Sequence, residues 1–324
     1  MHVASSKTAW IIGYLLLMGF AFFFSKKLGA QEPLKPGRHK ITVWTERRNR
    51  QAQVHVPSGY TPGTPIPVVL IFHGAGGNGE NSLDKNGWAT KAEQENFVAV
   101  APDGLPARPG WPAYFIFNPR LWNDGQLRPE SQRSKIDDVA FVHALLDDLA
   151  KRLTIDADRI YITGHSNGAG MTFRLGAELS EKFAALAVFA GHCWIRNPKP
   201  TRALPSLYII GTADPLIPLA GGEVKTPWSQ KTNPSVEQTL ITWASALGIK
   251  GPPTVIQDKG GVKIIRYGRE TDAAFLTAVY IEGQGHGWPG AKDSSLPERW
   301  IGPSVDRVKA TDLIWDFFKK LRRR

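Results

Sequence analysis

The sequence predicts an α/β fold, with a mostly parallel central sheet and helices on both faces. Two observations carry that prediction. Short apolar runs rich in β-branched residues recur along the chain, each closed by glycine, proline or a polar turn. Between them lie longer stretches with apolar residues at helical spacing. Strands buried on both faces read as continuous apolar runs, and strands that alternate with helices wind into parallel sheets.

Residues 39–45 and 51–56 flank the charged stretch 46–50 and are predicted to open the fold as a hairpin. The buried strands are predicted at 67–73 (PVVLIFH), 97–102 (FVAVAP), 159–163 (RIYIT), 184–190 (AALAVFA), 206–210 (SLYII) and 274–281 (AFLTAVYI). A helix is predicted over 137–153, where Val139, Val142, Leu145, Leu146 and Leu149 share a face behind acids in the first turn. Further helices are predicted over 167–179, 236–247 and 305–321. The segment 104–129, rich in Gly, Pro and Trp, has no period. It is read as a long loop over one end of the sheet, where ligand sites gather in such folds.

Composition narrows the function classes. At 42% hydrophobic and 21% charged residues, the chain is not globally disordered. Its single cysteine, Cys193, excludes an internal disulfide framework and a multi-cysteine metal site. The formal charge of +11 sits mainly at the ends, with three lysines and no acid in residues 1–30 and KKLRRR at 319–324. The body is close to balance, so no nucleic-acid partner is predicted, and the basic tail reads as a solvated run.

Residues 9–24 (AWIIGYLLLMGFAFFF) carry no charge. That run falls between the length of a signal-peptide core and that of a membrane span. Residues 1–30 are therefore read as an export signal cleaved near Ala30 or as an uncleaved anchor, with residues 31–324 as one domain. Either reading sends the body across a membrane, so a secreted or periplasmic protein is expected, touching membrane only through this segment.

The chemistry begins where the third buried run enters Gly164-His165-Ser166-Asn167-Gly168. Alone, G-x-S-x-G is a common coincidence. Between a strand and a helix it becomes a sharp turn that pushes the serine hydroxyl above the sheet, with glycines where neighbouring backbone must pack. A serine hydroxyl needs a base, and the base needs an orienting acid. Asp214 follows the fifth run in GTADP, and His286 follows the last in GQGHGWP. The order Ser166, Asp214, His286 is that of strand-end loops converging on one site.

The glycine-rich loop HGAGGNG at 73–79 lets backbone approach a substrate oxygen. The backbone N–H groups of Ala75 and Asn167 are the two predicted oxyanion donors. His192 is the reserve base, His143 is read as a satisfied core residue, and His165 as pointing away from the chemistry. Cys193 has no partner pattern of a nucleophile. Trp88, Trp111, Trp122 and Trp288 fall in predicted loops, and Trp288 and Trp122 are assigned to the substrate pocket.

Taken together, HGAGGNG, DDVAFVHALLDDL, IDADRIYITGHSNGAGM, GTADPLIPLAGG and GHGWPG resemble the polyhydroxybutyrate depolymerase and feruloyl-esterase-like group of α/β-hydrolases. The resemblance spans residues 67–288. It implies an α/β-hydrolase fold and a secreted serine esterase with Ser166, Asp214 and His286 in the triad roles. It also implies a hydrophobic cleft for the acyl part of a small or oligomeric ester, and no metal or cofactor. The chain departs from the group in Gly168-Ala169-Gly170 after Ser-Asn and in lacking paired cysteines. It also shows no binding module after its last predicted helix, which favours soluble esters over solid polymer. The expected substrates are short hydroxyalkanoate oligomers or feruloyl or acetyl esters of carbohydrate. A peptidase or acyltransferase on the same three residues, and a non-catalytic binding protein of the same fold, are the rival readings.

Overall fold

The predicted opening hairpin forms from β1 (Gly37–Thr45) and β2 (Arg48–Val56), which pair antiparallel. The two residues between them, Glu46 and Arg47, both lie at positive φ (49° and 60°), as a two-residue hairpin turn requires. The computed structural model describes residues 32–323 except 107, 116, 127–131, 227–228 and 293–295. The segment read as an export signal, residues 1–30, therefore lies outside the described residues.

The remaining elements are β3 (Ile66–Phe72), α1 (Gly79–Asp84), α2 (Trp88–Glu95), β4 (Val98–Pro102), β5 (Leu105–Pro106) and β6 (Arg120–Leu121). Then come α3 (Asp138–Arg152), β7 (Ile155–His165), α4 (Asn167–Glu178), β8 (Ala185–Phe189) and β9 (Ser206–Gly211). They are followed by β10 (Gly222–Thr226), β11 (Ser229–Asn233), α5 (Val236–Ala246), β12 (Thr254–Lys259) and β13 (Val262–Tyr267). The last are β14 (Leu276–Ile281), α6 (Glu298–Ile301) and α7 (Ala310–Phe318). Among the described residues one ten-stranded sheet runs in the order β1-β2-β4-β3-β7-β8-β9-β14-β13-β12.

From β4 to β14 every neighbouring pair is parallel. These strands carry the predicted apolar runs, and β3, β4, β8 and β9 are buried along their whole length. Burial on both faces is what a parallel sheet covered by helices demands. The C-terminal ends of β3, β7, β9 and β14 therefore lie at one edge of the sheet and feed loops 73–78, 166, 212–217 and 282–290.

Several elements differ from the prediction. The antiparallel strands β12 and β13 extend the sheet at one side. Their residues are largely exposed or half-buried, so they lack the continuous apolar run that marks the central strands. The last helix is shorter than predicted, because α7 begins only at Ala310. Trp88 opens helix α2 and is fully buried, so it does not lie in a loop as predicted. His143 lies on the solvent side of α3 beside Asp147, with Nδ1 at 3.2 Å from the carboxylate, rather than in the core. The basic tail is engaged: Arg322 pairs with Asp156 at 3.1 Å and Arg323 with Asp158 at 3.3 Å.

Within 104–129 the chain is a loop, as predicted, but an organised one. Asn118 accepts from the Arg108 N–H at 2.7 Å and donates to the carbonyls of Arg108, Trp111 and Pro112. Deeper in, Asp138 at the start of α3 joins Arg50 of β2 at 2.7 Å and also pairs with Arg133. The same carboxylate accepts the N–H of Asn123 at 2.7 Å. This buried ion group ties the opening hairpin, the long loop and α3 together beneath the sheet edge.

Candidate active site

Ser166 stands between β7 and α4 with φ 56° and ψ −119°, a conformation L-residues rarely adopt. The surroundings over-determine it. Its N–H donates to Phe189 O at 3.0 Å, and its carbonyl accepts from Ala169 and Gly170 at 3.0 and 3.1 Å. A Cβ on Gly168 would lie 2.1 Å from Phe72 O, and one on Gly164 would lie 2.2 Å from Gly168 O. Only glycine at both positions lets the start of α4 sit directly on the end of β3, and that contact holds the strained serine in place.

Asp214 and His286 are brought together from loops 72 residues apart: His286 Nδ1 donates to Asp214 Oδ2 at 2.7 Å, and both side chains are buried. The other carboxylate oxygen of Asp214 accepts the N–H groups of Leu216 and Ile217 at 2.8 and 2.9 Å. Burial pushes this carboxyl upward. The charge and hydrogen bond of His286 and the two amides outweigh it, so Asp214 lies below the usual carboxylate range. With Asp214 accepting at Nδ1, the Nε2 of His286 is the ring nitrogen left for chemistry.

His165, next to the serine, does not point away from the site. Its Nε2–H donates to the His286 carbonyl at 2.8 Å, and the two rings lie 4.8 Å apart. Burial drives His165 down to about 3, so it stays neutral and keeps that donor role. It thereby locks the serine turn to the His286 loop. Reserve base His192 sits just past β8, its Nδ1 bonded to Thr239 Oγ1 at 2.7 Å and away from the Asp214–His286 pair's hydrogen bond.

The turn after β3 lies against the serine, since a Cβ on Gly74 would sit 3.3 Å from Ser166 Cβ. His73 shapes this turn from beneath. Its Nδ1–H donates to Gly74 O at 2.7 Å, and its Nε2 accepts from the Gly104 N–H at 2.9 Å. Burial lowers its pKa to about 4, which keeps one nitrogen free to accept. Gly77 donates to Gly74 O and Gly76 to Arg120 O, while among the described residues the Ala75 and Asn167 N–H groups have no protein acceptor. Both N–H groups flank the serine turn.

The Asn167 side chain is clamped. Its Oδ1 accepts from the Trp122 N–H at 2.7 Å, and its Nδ2 donates to Trp122 O at 3.1 Å and Asp124 Oδ2 at 2.7 Å. Burial raises Asp124 to about 6, against the pull of the Gln126 amide and Asn167. Sequence reasoning missed Asp124, whose only signal was its place in the aperiodic loop.

The two tryptophans assigned to the substrate pocket are placed behind the site, not on an open wall of it. Trp122 is fully buried, donates Nε1–H to His73 O at 3.0 Å and meets Phe72 edge-on. Trp288 is buried against Trp88 and Phe189 and donates to Thr311 Oγ1 at 3.1 Å, which fastens the His286 loop to α7. Both rings are consumed by packing because their N–H groups find internal acceptors. Cys193 is buried, and burial pushes its thiol up to about 12, so it is inert.

A parallel sheet with a strained serine turn, and an Asp–His pair on neighbouring strand ends, is the layout of an α/β-hydrolase. Residues 45–248 match the family model described as "Putative esterase", and the chain belongs to that family. It is an esterase, a carboxylic ester hydrolase.

Among curated relatives, "Putative esterase NocK" of Nocardia uniformis subsp. tsuyamanensis is 28% identical over 83% of this chain and 79% of that protein. Feruloyl esterase B of Piromyces equi is 25% identical over 76% of this chain, which spans 46% of that protein. Feruloyl esterase C of Emericella nidulans is 27% identical over 60% of this chain and 63% of its own length. The solved acetyl xylan esterase from Aspergillus awamori superposes with a TM-score of 0.57 at 15% identity, over 87% of this chain and 99% of that one. That likeness shows the fold.

Proposed function

We propose that this chain is a serine carboxylesterase that acts on feruloyl or acetyl esters of carbohydrate through an acyl-enzyme. Ser166 Oγ attacks the ester carbonyl as His286 Nε2 takes its proton and then delivers it to the leaving alkoxide. Asp214 fixes the imidazole tautomer and stabilises its cation. The N–H groups of Ala75 and Asn167 hold the oxyanion, and a water activated by His286 releases the acid. The observation that carries this reading is the 2.7 Å bond from His286 Nδ1 to Asp214 Oδ2, on loops tied to the strained serine turn. The substrate class rests on what curated relatives are named for: feruloyl esters and, in a bifunctional acetylxylan esterase/xylanase, acetylxylan. Export by residues 1–30 belongs to the same proposal, and the N-terminal residue of the protein recovered from its host checks it.

The test is a hydrolysis panel of p-nitrophenyl acetate, methyl ferulate, an acetylated xylo-oligosaccharide and a hydroxybutyrate trimer, on wild type and Ser166→Ala. Turnover of the ferulate or the acetylated sugar that Ser166→Ala abolishes is the expected result. Turnover of the trimer alone moves the substrate to hydroxyalkanoates. Activity that survives Ser166→Ala overturns the mechanism.

A further inference from the structure

The hairpin β10–β11 lies outside the main sheet and follows the Asp214 loop in the chain. Its register pairs Val224 with Lys231. Residues directly opposite in an antiparallel pair share a face, as do residues two apart along one strand. Val224 is buried, and so is Asn233, whose Nδ2 donates to Leu216 O at 2.8 Å in the Asp214 loop. Lys231 therefore stands on the inward face of the hairpin, between two buried residues. Glu223, Lys225, Gln230 and Thr232, on the other face, are exposed.

A lysine turned inward needs a counter-charge. Lys231 Nζ lies 6.0 Å from the ring of Trp194, which packs at 5.2 Å from His192. It is also within electrostatic reach of Asp124, Asp214 and His192. Yet neither carboxylate lies within ion-pair distance of Lys231 Nζ. Both carboxylates are committed elsewhere: Asp214 to His286 and two amides, Asp124 to Asn167 and the Gln126 amide. His192 Nε2, on the same wall, is a buried polar atom without a partner among the described residues. The segment that carries His192 and Trp194 packs on the serine turn, because a Cβ on Gly191 would lie 2.5 Å from the Ser166 main-chain oxygen.

We propose that Lys231 forms an anion subsite beside Ser166 and His286, selecting esters whose acyl or alcohol part carries a free carboxylate. The inference rests on the serine-esterase reading and narrows its substrate. The carboxylate supplies the charge partner that the protein itself withholds from Lys231, and Trp194 gives the connecting chain an apolar surface to lie on.

The test compares each free acid with its methyl-blocked form. Mono-p-nitrophenyl adipate places the carboxylate on the acyl side, and the 3-hydroxybutyrate dimer places it on the alcohol side. In the wild type, kcat/KM for at least one free acid should exceed that of its blocked form by about tenfold, the scale of one charge-assisted hydrogen bond. That ratio should shrink as salt is added. Lys231→Met should bring the ratio near one, and Lys231→Arg should keep it. A wild-type ratio near one for both pairs, or a ratio unmoved in Lys231→Met, overturns the subsite. A parallel fall on acid and blocked ester in a folded Lys231→Met also overturns it. Turnover that survives Ser166→Ala overturns the esterase reading and the subsite with it, whereas no turnover of any of the four esters by a protein that hydrolyses methyl ferulate overturns the subsite alone.

Discussion

Asp124 Oδ2 accepts a hydrogen bond from Asn167 Nδ2 at 2.7 Å, although the two residues lie 43 positions apart. Trp122 closes on the same side-chain amide with its own N–H and carbonyl. The residue after the serine is thus held from its side chain, which leaves its backbone N–H directed by the loop as well as by the helix. Asn167→Ala keeps that N–H and removes the clamp. It should lower kcat about tenfold, less than the loss of a whole oxyanion donor, with little change in KM. Steady-state kinetics on p-nitrophenyl acetate checks this.

The same pair gives a pH prediction. Burial raises Asp124 from an ordinary 3.8 to about 6 in the folded protein. Between those values the folded protein holds a proton that the unfolded chain has released, so this group's contribution to stability falls as pH rises through the window. Asp214, held low in the fold, contributes the opposite slope, which is lost as pH falls through its folded value. The two separate in a difference measurement. The Tm of Asp124→Asn minus that of wild type should increase from about pH 4 to about pH 6.

The positive φ of Ser166 stores strain of about 1–3 kcal/mol. Ser166→Gly relieves it, whereas Ser166→Ala does not, because a Cβ remains. Both variants should lose turnover, but the glycine variant should be the more stable by about 1 kcal/mol after its greater unfolded-state entropy is counted. Urea denaturation of the two variants side by side checks this.

Asp138 answers two buried arginines, Arg50 and Arg133, while also accepting the Asn123 N–H. Asp138→Asn removes the buried carboxylate that pairs with both guanidinium groups and should cost about 3–5 kcal/mol. The loop carrying Asp124 hangs from the same carboxylate, so activity should fall at temperatures below the unfolding transition. Thermal unfolding and activity measured on one sample check both parts.

What could be read from the sequence was what local pattern encodes. Continuous apolar runs marked β3, β4, β8 and β9, because strands buried on both faces have no polar side to show. The serine turn was visible since its glycines, strand and helix are neighbours in the chain. Asp214 and His286 were visible as polar residues in turns just past strand ends. Strands β12 and β13 escaped because half-exposed edge strands carry no such run.

The tertiary structure alone decided which polar groups meet. Asp124 reached Asn167 only because the long loop folds back over the start of α4. Trp122 and Trp288 went into packing, because their N–H groups found His73 O and Thr311 Oγ1 from distant segments. Lys231 turned inward because the hairpin register set it opposite Val224, and a shift of one residue would have sent it to solvent. Sequence determined the elements and the order of their chemistry through short-range periodicity and turn geometry. The pairing of side chains required the fold, because each hydrogen bond joins loops whose approach is fixed by strand order and register rather than by spacing along the chain.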